Sequence, residues 1–146
     1  MARVADPRGR MTREEREAFL AGVHVGVLAI DEPGRGPLAL PVWYEYTGGV
    51  VLVNIDDDTR KAEMVRAAGR ATLTVQDETP PYKYVSVEGP ATIEPRTVND
   101  VALASRYLGA ELGEWYAQEN PQTAASVTLR LRPEHWRTYD FAKLFG

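Results

Sequence analysis

The chain of 146 residues has no cysteine. That excludes disulfides, thiolate metal sites and cysteine nucleophiles in one stroke. Histidine is nearly absent: only His24 and His135 occur. A multi-histidine metal site is therefore ruled out, and any Ser–His–Asp triad must use one of these two. No apolar run approaches the roughly 20 residues a membrane span requires. There is no block of basic residues and the formal net charge is −4, so nucleic acid is a poor partner. The first eleven residues are polar and lack the apolar centre of a signal peptide. These absences point to a cytoplasmic protein.

What is present suits one globular domain. Hydrophobic residues make up 44% of the chain, enough for an ordinary core at this length. Residues 1–11 read as a flexible N-terminal segment, and 12–146 as a single domain. Thr12-Arg13-Glu14-Glu15 has the form of a capping box, so a helix starts there, buries Phe19 and Leu20, and stops near Gly22.

Residues 23–30 are apolar and β-branched and read as a buried strand. A Pro- and Gly-rich turn at 31–37 follows, then a strand over 38–46, a Gly-Gly hairpin turn and a strand over 50–55. Their spacing predicts an antiparallel meander. A helix is expected over 59–68 with Gly69 as its C-cap. Residues 70–76 alternate, with Ala71, Leu73 and Val75 on one face. Residues 82–93 form a further strand, bent or bulged at Gly89-Pro90. Helices are expected over 97–108 and 111–118, then a strand through Val127, Leu129 and Leu131 and a last one over 135–141. The total is mainly β, with six to seven antiparallel strands closing into a small barrel with flanking helices.

Catalytic side chains are scarce. Ser86, Ser105 and Ser126 lack a Gly-x-Ser-x-Gly setting. His24 lies in a strand and reads as a structural histidine, and His135 as a partly exposed one. Asp56, Asp57 and Asp58 are adjacent rather than alternating, which is not a calcium-loop spacing. No catalytic residue and no metal ligand set is assigned. A chain without catalytic side chains is still an enzyme where a cofactor carries the chemistry.

The segment from Val50 to Ala62 carries the strongest local signal. An apolar strand runs into the three aspartates, and Arg60 and Lys61 then occupy the first turn of a helix. A helix N-terminus carries about half a positive charge, so two cations there are out of place. Two readings stay open. Either an anion such as phosphate sits among the free N–H groups and the cations, or the aspartates neutralise the pair on a solvated surface. Upstream, Pro41-Val42-Trp43-Tyr44-Glu45-Tyr46 is an aromatic strand that Pro41 deprives of one ladder donor. Such a strand can offer backbone groups to a planar heterocycle; its aromatics also read as plain core and surface residues.

Taken in order, Gly26–Ala29, Leu40–Tyr44, Val51–Asn54, Thr59–Ala62, Ala71–Gln76 and Pro81–Gly89 resemble the pyridoxamine 5′-phosphate oxidase-like split β-barrel family over roughly 12–140. Within it, the chain is most similar to the deazaflavin (coenzyme F420)-dependent reductases, a branch found largely in actinobacteria. The resemblance implies an FMN-binding-like split barrel and a homodimer with two cofactor sites at the subunit interface. It implies hydride transfer to a small conjugated or electron-poor substrate. Lys61 would bind the cofactor phosphate with Thr59 and Arg60 beside it. Pro41, Val42 and Trp43 would lie along the ring with Val53 and Asn54, and Gln76 near it. Tyr82 would reach the site from one of the two chains. Trp136 and Arg137 would border the pocket. FMN is the alternative cofactor, and a flavin-binding carrier without turnover the alternative role. The three aspartates depart from the family pattern by placing negative charge near the phosphate position.

Overall fold

The computed structural model describes residues 6–146. The expected loose segment falls partly on residues 1–5, which lie outside the described residues. The remainder, residues 6–11, is described. Pro7–Gly9 form a 3-10 turn capped by Asp6, and Met11 is buried in the core. Its amide donates to the Thr138 hydroxyl at 3.0 Å.

The first helix, α1 (Arg13–Ala21), begins on the capping box that the sequence encodes. The Glu15 amide donates to the Thr12 hydroxyl at 3.1 Å, and the Glu15 carboxylate accepts from the Thr12 amide at 2.9 Å. Both orphan donors of the first turn are thereby satisfied. Leu20 is fully buried. Residues 23–25 are not strand, and Val23 and Val25 are about half exposed. Strand β1 starts only at Gly26 (Gly26–Ile30).

The expected strand over 38–46 is two strands. β2 (Leu38–Val42) pairs with β1, and β3 (Glu45–Thr47) pairs with β4 (Val50–Asp56). Trp43 and Tyr44 break the run between them. β2 and β3 do not pair with each other, so the predicted three-strand meander is replaced by two hairpins at opposite ends of one sheet. The full order is β2-β1-β5-β6-β7-β4-β3, with β5 (Arg70–Asp77), β6 (Lys83–Pro95) and β7 (Ser126–Leu131), while β8 (His135–Asp140) pairs with β6. Every pairing is antiparallel. Because β2 and β3 are joined by only two residues, the ends of the sheet curl toward each other. The result is a split barrel of eight strands among the described residues.

Alternation fills the barrel. Leu28 and Ile30 from β1, Val51 and Val53 from β4, Leu73 and Val75 from β5, Val85 and Val87 from β6, and Leu129 and Leu131 from β7 are buried together. A two-residue period puts all of them on one face. Helix α2 (Arg60–Ala68) adds Ala62, Met64 and Val65. It ends on Gly69 in the left-handed region at φ 68°, whose amide donates to the Val65 carbonyl at 2.7 Å. Glycine adopts that conformation without a Cβ penalty.

Gly89 has a different role from the expected bend or bulge. Pairing of β6 with β5 runs through it without interruption. On the other edge of β6, the partner changes there from β8 to β7. The connecting chain passes so close that a Cβ on Gly89 would lie 1.9 Å from the Arg132 carbonyl oxygen. The crossing is sealed by Arg132 N–H to Pro90 O at 3.0 Å and Glu134 N–H to Glu88 O at 2.8 Å.

Helices α3 (Asp100–Leu108) and α4 (Ala110–Glu119) form a hairpin outside the barrel. α3 starts later than the expected residue 97, on Asn99 as its cap, whose side chain accepts from the Ala102 amide at 3.0 Å. Gly113 lets the two helices approach, since a Cβ there would meet Ser105 at 2.4 Å.

Candidate functional site

The start of α2 is built as the sequence suggests, with one change of detail. Thr59 is the N-cap, so the helix proper begins at Arg60. The Thr59 hydroxyl donates to the Asp56 carbonyl at 2.6 Å and accepts from the Ala62 amide at 3.4 Å. The two cations then part. Arg60 turns away and pairs with Glu32 at 2.8 Å and Glu63 at 3.1 Å. Asp57 is taken by Arg66. Lys61 forms no ion pair among the described residues. The aspartates therefore neutralise neither cation: Arg60 is paired by glutamates, Asp57 by Arg66, and Lys61 has no ion-pair partner among the described residues.

Lys61 faces a cleft of about 630 Å³ between the barrel and the α3–α4 hairpin. Pro41, Val42, Trp43, Val53, Asn54 and Thr59 line the same cleft. The structure thus gathers seven of the ten residues expected to contact the cofactor. Three do not line it. Arg60 is held by its two glutamates. Gln76 is on the outer face of β5, in a shallow groove with Val25, Val27, Thr74 and Glu78. Tyr82 is 52% exposed, and its carbonyl accepts from the Phe141 amide at 3.0 Å. Trp136 and Arg137 are also outside the cleft. Trp136 packs under the Arg16 guanidinium at 4.3 Å and edge-on to Tyr46.

The cleft walls come from residues that the sequence left unassigned. Leu103 and Ala104 of α3, Tyr116 and Ala117 of α4, and the stretch from Asn120 to Thr123 close one side. Asp56 and Asp100 also line it. Among the described residues, Lys61 is the only basic one on the lining, against those two carboxylates. The amphipathic pattern of α3 and α4 signals that one face is buried. Nothing in it shows that the covered surface is the end of β4.

The aromatics between β2 and β3 have separate jobs. Tyr44 is fully buried and its hydroxyl donates to the Leu20 carbonyl at 2.6 Å. Burial pushes its phenol well above the usual tyrosine range. Trp43 remains partly exposed in the cleft wall. Tyr107 stacks on it with centroids 5.1 Å apart and planes 8° from parallel, and Tyr116 meets it at 5.0 Å and 54°. Asn54 is committed to structure: its amide donates to Asp100 and to the Val98 carbonyl, and its oxygen accepts from the Thr128 hydroxyl.

His24 is a structural histidine, although it precedes β1 rather than lying in a strand as expected. A ring nitrogen lies 3.0 Å from the Phe19 carbonyl and the ring packs on Phe19. Burial lowers its pKa, opposed by the Phe19 hydrogen bond. No group of three or more potential metal ligands occurs among the described residues.

The cleft thus sets one lysine, at a capped helix start, beside an aromatic wall. The family model for pyridoxamine 5′-phosphate oxidase matches residues 12–140. The chain belongs to the pyridoxamine 5′-phosphate oxidase family. Solved structures agree on the fold. The conserved hypothetical protein Rv2991 from Mycobacterium tuberculosis is 24% identical over 100% of this chain and 94% of its own, with a TM-score of 0.79. A protein described as an F420 reductase is 23% identical over 86% of this chain and 98% of its own, at 0.63. A FAD-binding protein from Mesorhizobium loti is 20% identical over 88% and 94%, at 0.65. No curated protein matches the sequence. Among the described residues, no helix is long and apolar enough to cross a membrane.

Proposed function

We propose that this family member is an oxidoreductase that binds coenzyme F420 in the cleft and reduces a small conjugated or electron-poor substrate. The observation that carries the reading is Lys61, without an ion-pair partner among the described residues and facing a cleft walled by Trp43, at a capped helix start. Lysine and helix N–H groups together suit a phosphate oxygen. The donor set therefore fits a phosphorylated, planar, flavin-type ligand.

The F420 reductase among the similar structures supports the deazaflavin as first choice over FMN.

When bound, the reduced cofactor supplies a hydride. The chain's residues supply binding and orientation: Lys61 and Thr59 at the phosphate, Pro41, Val42 and Val53 along the strand ends, Trp43 at the wall. Excluding water from such a cleft strengthens these electrostatic contacts. The lining holds Asp56, Asp100 and Tyr116 but no histidine, and a carrier role without turnover is the second reading.

A homodimer belongs to the same proposal. The outer face of the sheet carries Ala39 and Pro41 of β2, Val27 and Ala29 of β1, Thr72 and Thr74 of β5 and Ser86 of β6, all in register. Glu88 beside Thr72 and Arg137 beside Ser86 stand at its margin, and the small uncharged centre of this face suits a second copy of itself. Gln76 and Tyr82, on that side and away from their own cleft, are then free to approach the partner's cleft.

Titrating the purified protein with coenzyme F420 and with FMN, followed by cofactor fluorescence, tests the reading. The expected result is saturable binding with F420 the tighter. Absence of binding by both removes the cofactor assignment. Binding without oxidation of the reduced form by enones, quinones or tetrapyrroles favours the carrier.

A further inference from the structure

Tyr107 does not line the cleft, yet it holds two of the cleft's walls. Its hydroxyl is 2.7 Å from the His24 carbonyl, 3.1 Å from the Tyr44 carbonyl and 3.1 Å from the Tyr44 amide. One phenolic O–H can donate while its lone pairs accept. The shortest contact makes His24 O the main acceptor, and the Tyr44 N–H donates to the phenol oxygen. These backbone groups sit where regular pairing stops: residues 23–25 precede β1, and Trp43-Tyr44 separate β2 from β3. A ladder-free amide and carbonyl need partners from elsewhere. Helix α3 supplies them across the gap. The two loose segments lead straight into the cleft, through Val25 on one side and Pro41, Val42 and Trp43 on the other.

The ring of the same residue acts on Trp43 directly, through the near-parallel stack. One residue away, the Arg106 guanidinium donates to the Ala21 carbonyl at 3.3 Å, fixing α3 to the end of α1. Burial raises the Tyr107 phenol above its ordinary range, so the donor stays protonated throughout the neutral range.

We propose that Tyr107 is a positioning residue for the cleft: its hydroxyl fixes the spacing between the Val25 and Trp43 walls, and its ring fixes the Trp43 plane. This goes beyond the cofactor assignment and rests on it only for the choice of ligand. Residue 107 is far in sequence from both walls, so docking of α3 and closure of the ligand site are one event.

Tyr107→Phe removes the hydroxyl and keeps the stack. Tyr46→Phe is the control, because the Tyr46 hydroxyl donates only to Glu17, at 3.2 Å, and lies outside the cleft. Both variants are read by equilibrium titration with coenzyme F420 and FMN. Both are also read without ligand, by acrylamide quenching of Trp43 in a Trp115→Phe, Trp136→Phe background. The expected result is a loss of affinity of about fivefold or more and a clear rise in quenching for Tyr107→Phe, with neither for Tyr46→Phe. Equal quenching in the two variants overturns the proposal, even if no flavin-type ligand binds either. Absence of ligand binding together with a rise in quenching confined to Tyr107→Phe overturns the cofactor assignment and supports the positioning role. Hydrogen exchange on the unmodified protein gives a second measurement should Tyr107→Phe fail to fold. The Tyr44 amide is expected to exchange with the same protection as the α3 amides. Fast, independent exchange of Tyr44 overturns the proposal.

Discussion

The Asn54 side-chain amide donates to the Asp100 carboxylate, binding the end of β4 to the first turn of α3. The same side chain accepts from Thr128 at 3.3 Å, so three elements meet at one residue. Hydrogen bonds to charged groups contribute about 1.5–3 kcal/mol each. Asn54→Ala should therefore lower unfolding free energy by about 2 kcal/mol, measured by urea denaturation, and loosen the α3–α4 hairpin. Asn54→Asp is a sharper probe. It sets two carboxylates against each other, which raises the pKa of one of them. Its deficit relative to wild type should shrink as pH falls below about 5 and one carboxylate is protonated.

Arg60 and Lys61 are neighbours with different fates, and that difference is measurable. Lys61→Ala removes the free cation of the cleft. It should weaken a phosphate-bearing cofactor by about 1.5–3 kcal/mol, the scale of a charge-assisted hydrogen bond. Arg60→Ala breaks its bonds to Glu32 and Glu63 and should leave cofactor affinity within about twofold. Fluorescence titration of both variants against wild type checks the contrast.

The outer face around β1 and β2 is the proposed contact between two copies of the chain. Val27 is 44% exposed and sits at its centre, opposite Pro41 and Thr74. An arginine there would be buried unpaired in an interface between copies. Burying a charge without a partner is costly. Wild type should sediment as a dimer, and Val27→Arg as a monomer with a native far-UV spectrum.

Gly89 lies under the passage of the chain from β7 to β8. A Cβ at this position would meet the Arg132 carbonyl oxygen at 1.9 Å. That oxygen is backbone and cannot swing aside as a side chain can. Gly89→Ala should cost about 3 kcal/mol, at the upper end of overpacking effects, and be seen as a lower urea midpoint.

Much of this architecture is legible in the chain because local signals and tertiary structure agree. The Thr12 capping box, the Gly69 cap and the alternation of Ala71, Leu73 and Val75 are each encoded within a few residues and reproduced as read. Failures occur where a distant residue decides. Residues 38–46 read as one strand because nothing local interrupts them after Pro41; the break at Trp43-Tyr44 is stabilised by Tyr107, more than sixty positions away. Arg60 resembles a phosphate ligand until Glu32, in the turn between β1 and β2, is brought against it. Gln76 obeys its alternation, which places it on the outer sheet face rather than in the cleft. The α3–α4 wall of the cleft is hidden for a related reason. Amphipathicity says that a helix is covered, but leaves its neighbour unnamed.

The capping box also sets an acid limit on α1. Glu15 has its pKa lowered to about 2, first by its hydrogen bond with Lys143 and then by the Thr12 amide. In the unfolded chain it titrates near 4.5. A depressed folded pKa means that the ionised form is favoured by folding, so the stabilisation is complete above the unfolded pKa. It is lost as pH falls from about 4.5 toward 2. The Glu15 side chain is 42% exposed, and solvent screening holds the contribution to about 1 kcal/mol or less. Glu15→Gln should remove the pH dependence of stability that belongs to this residue in that window, while leaving stability at neutral pH only slightly lower. Urea midpoints of wild type and variant from about pH 7 to about pH 3 should converge on the acid side. Parallel curves would mean that the Lys143 and Thr12 contacts do not hold the carboxylate ionised.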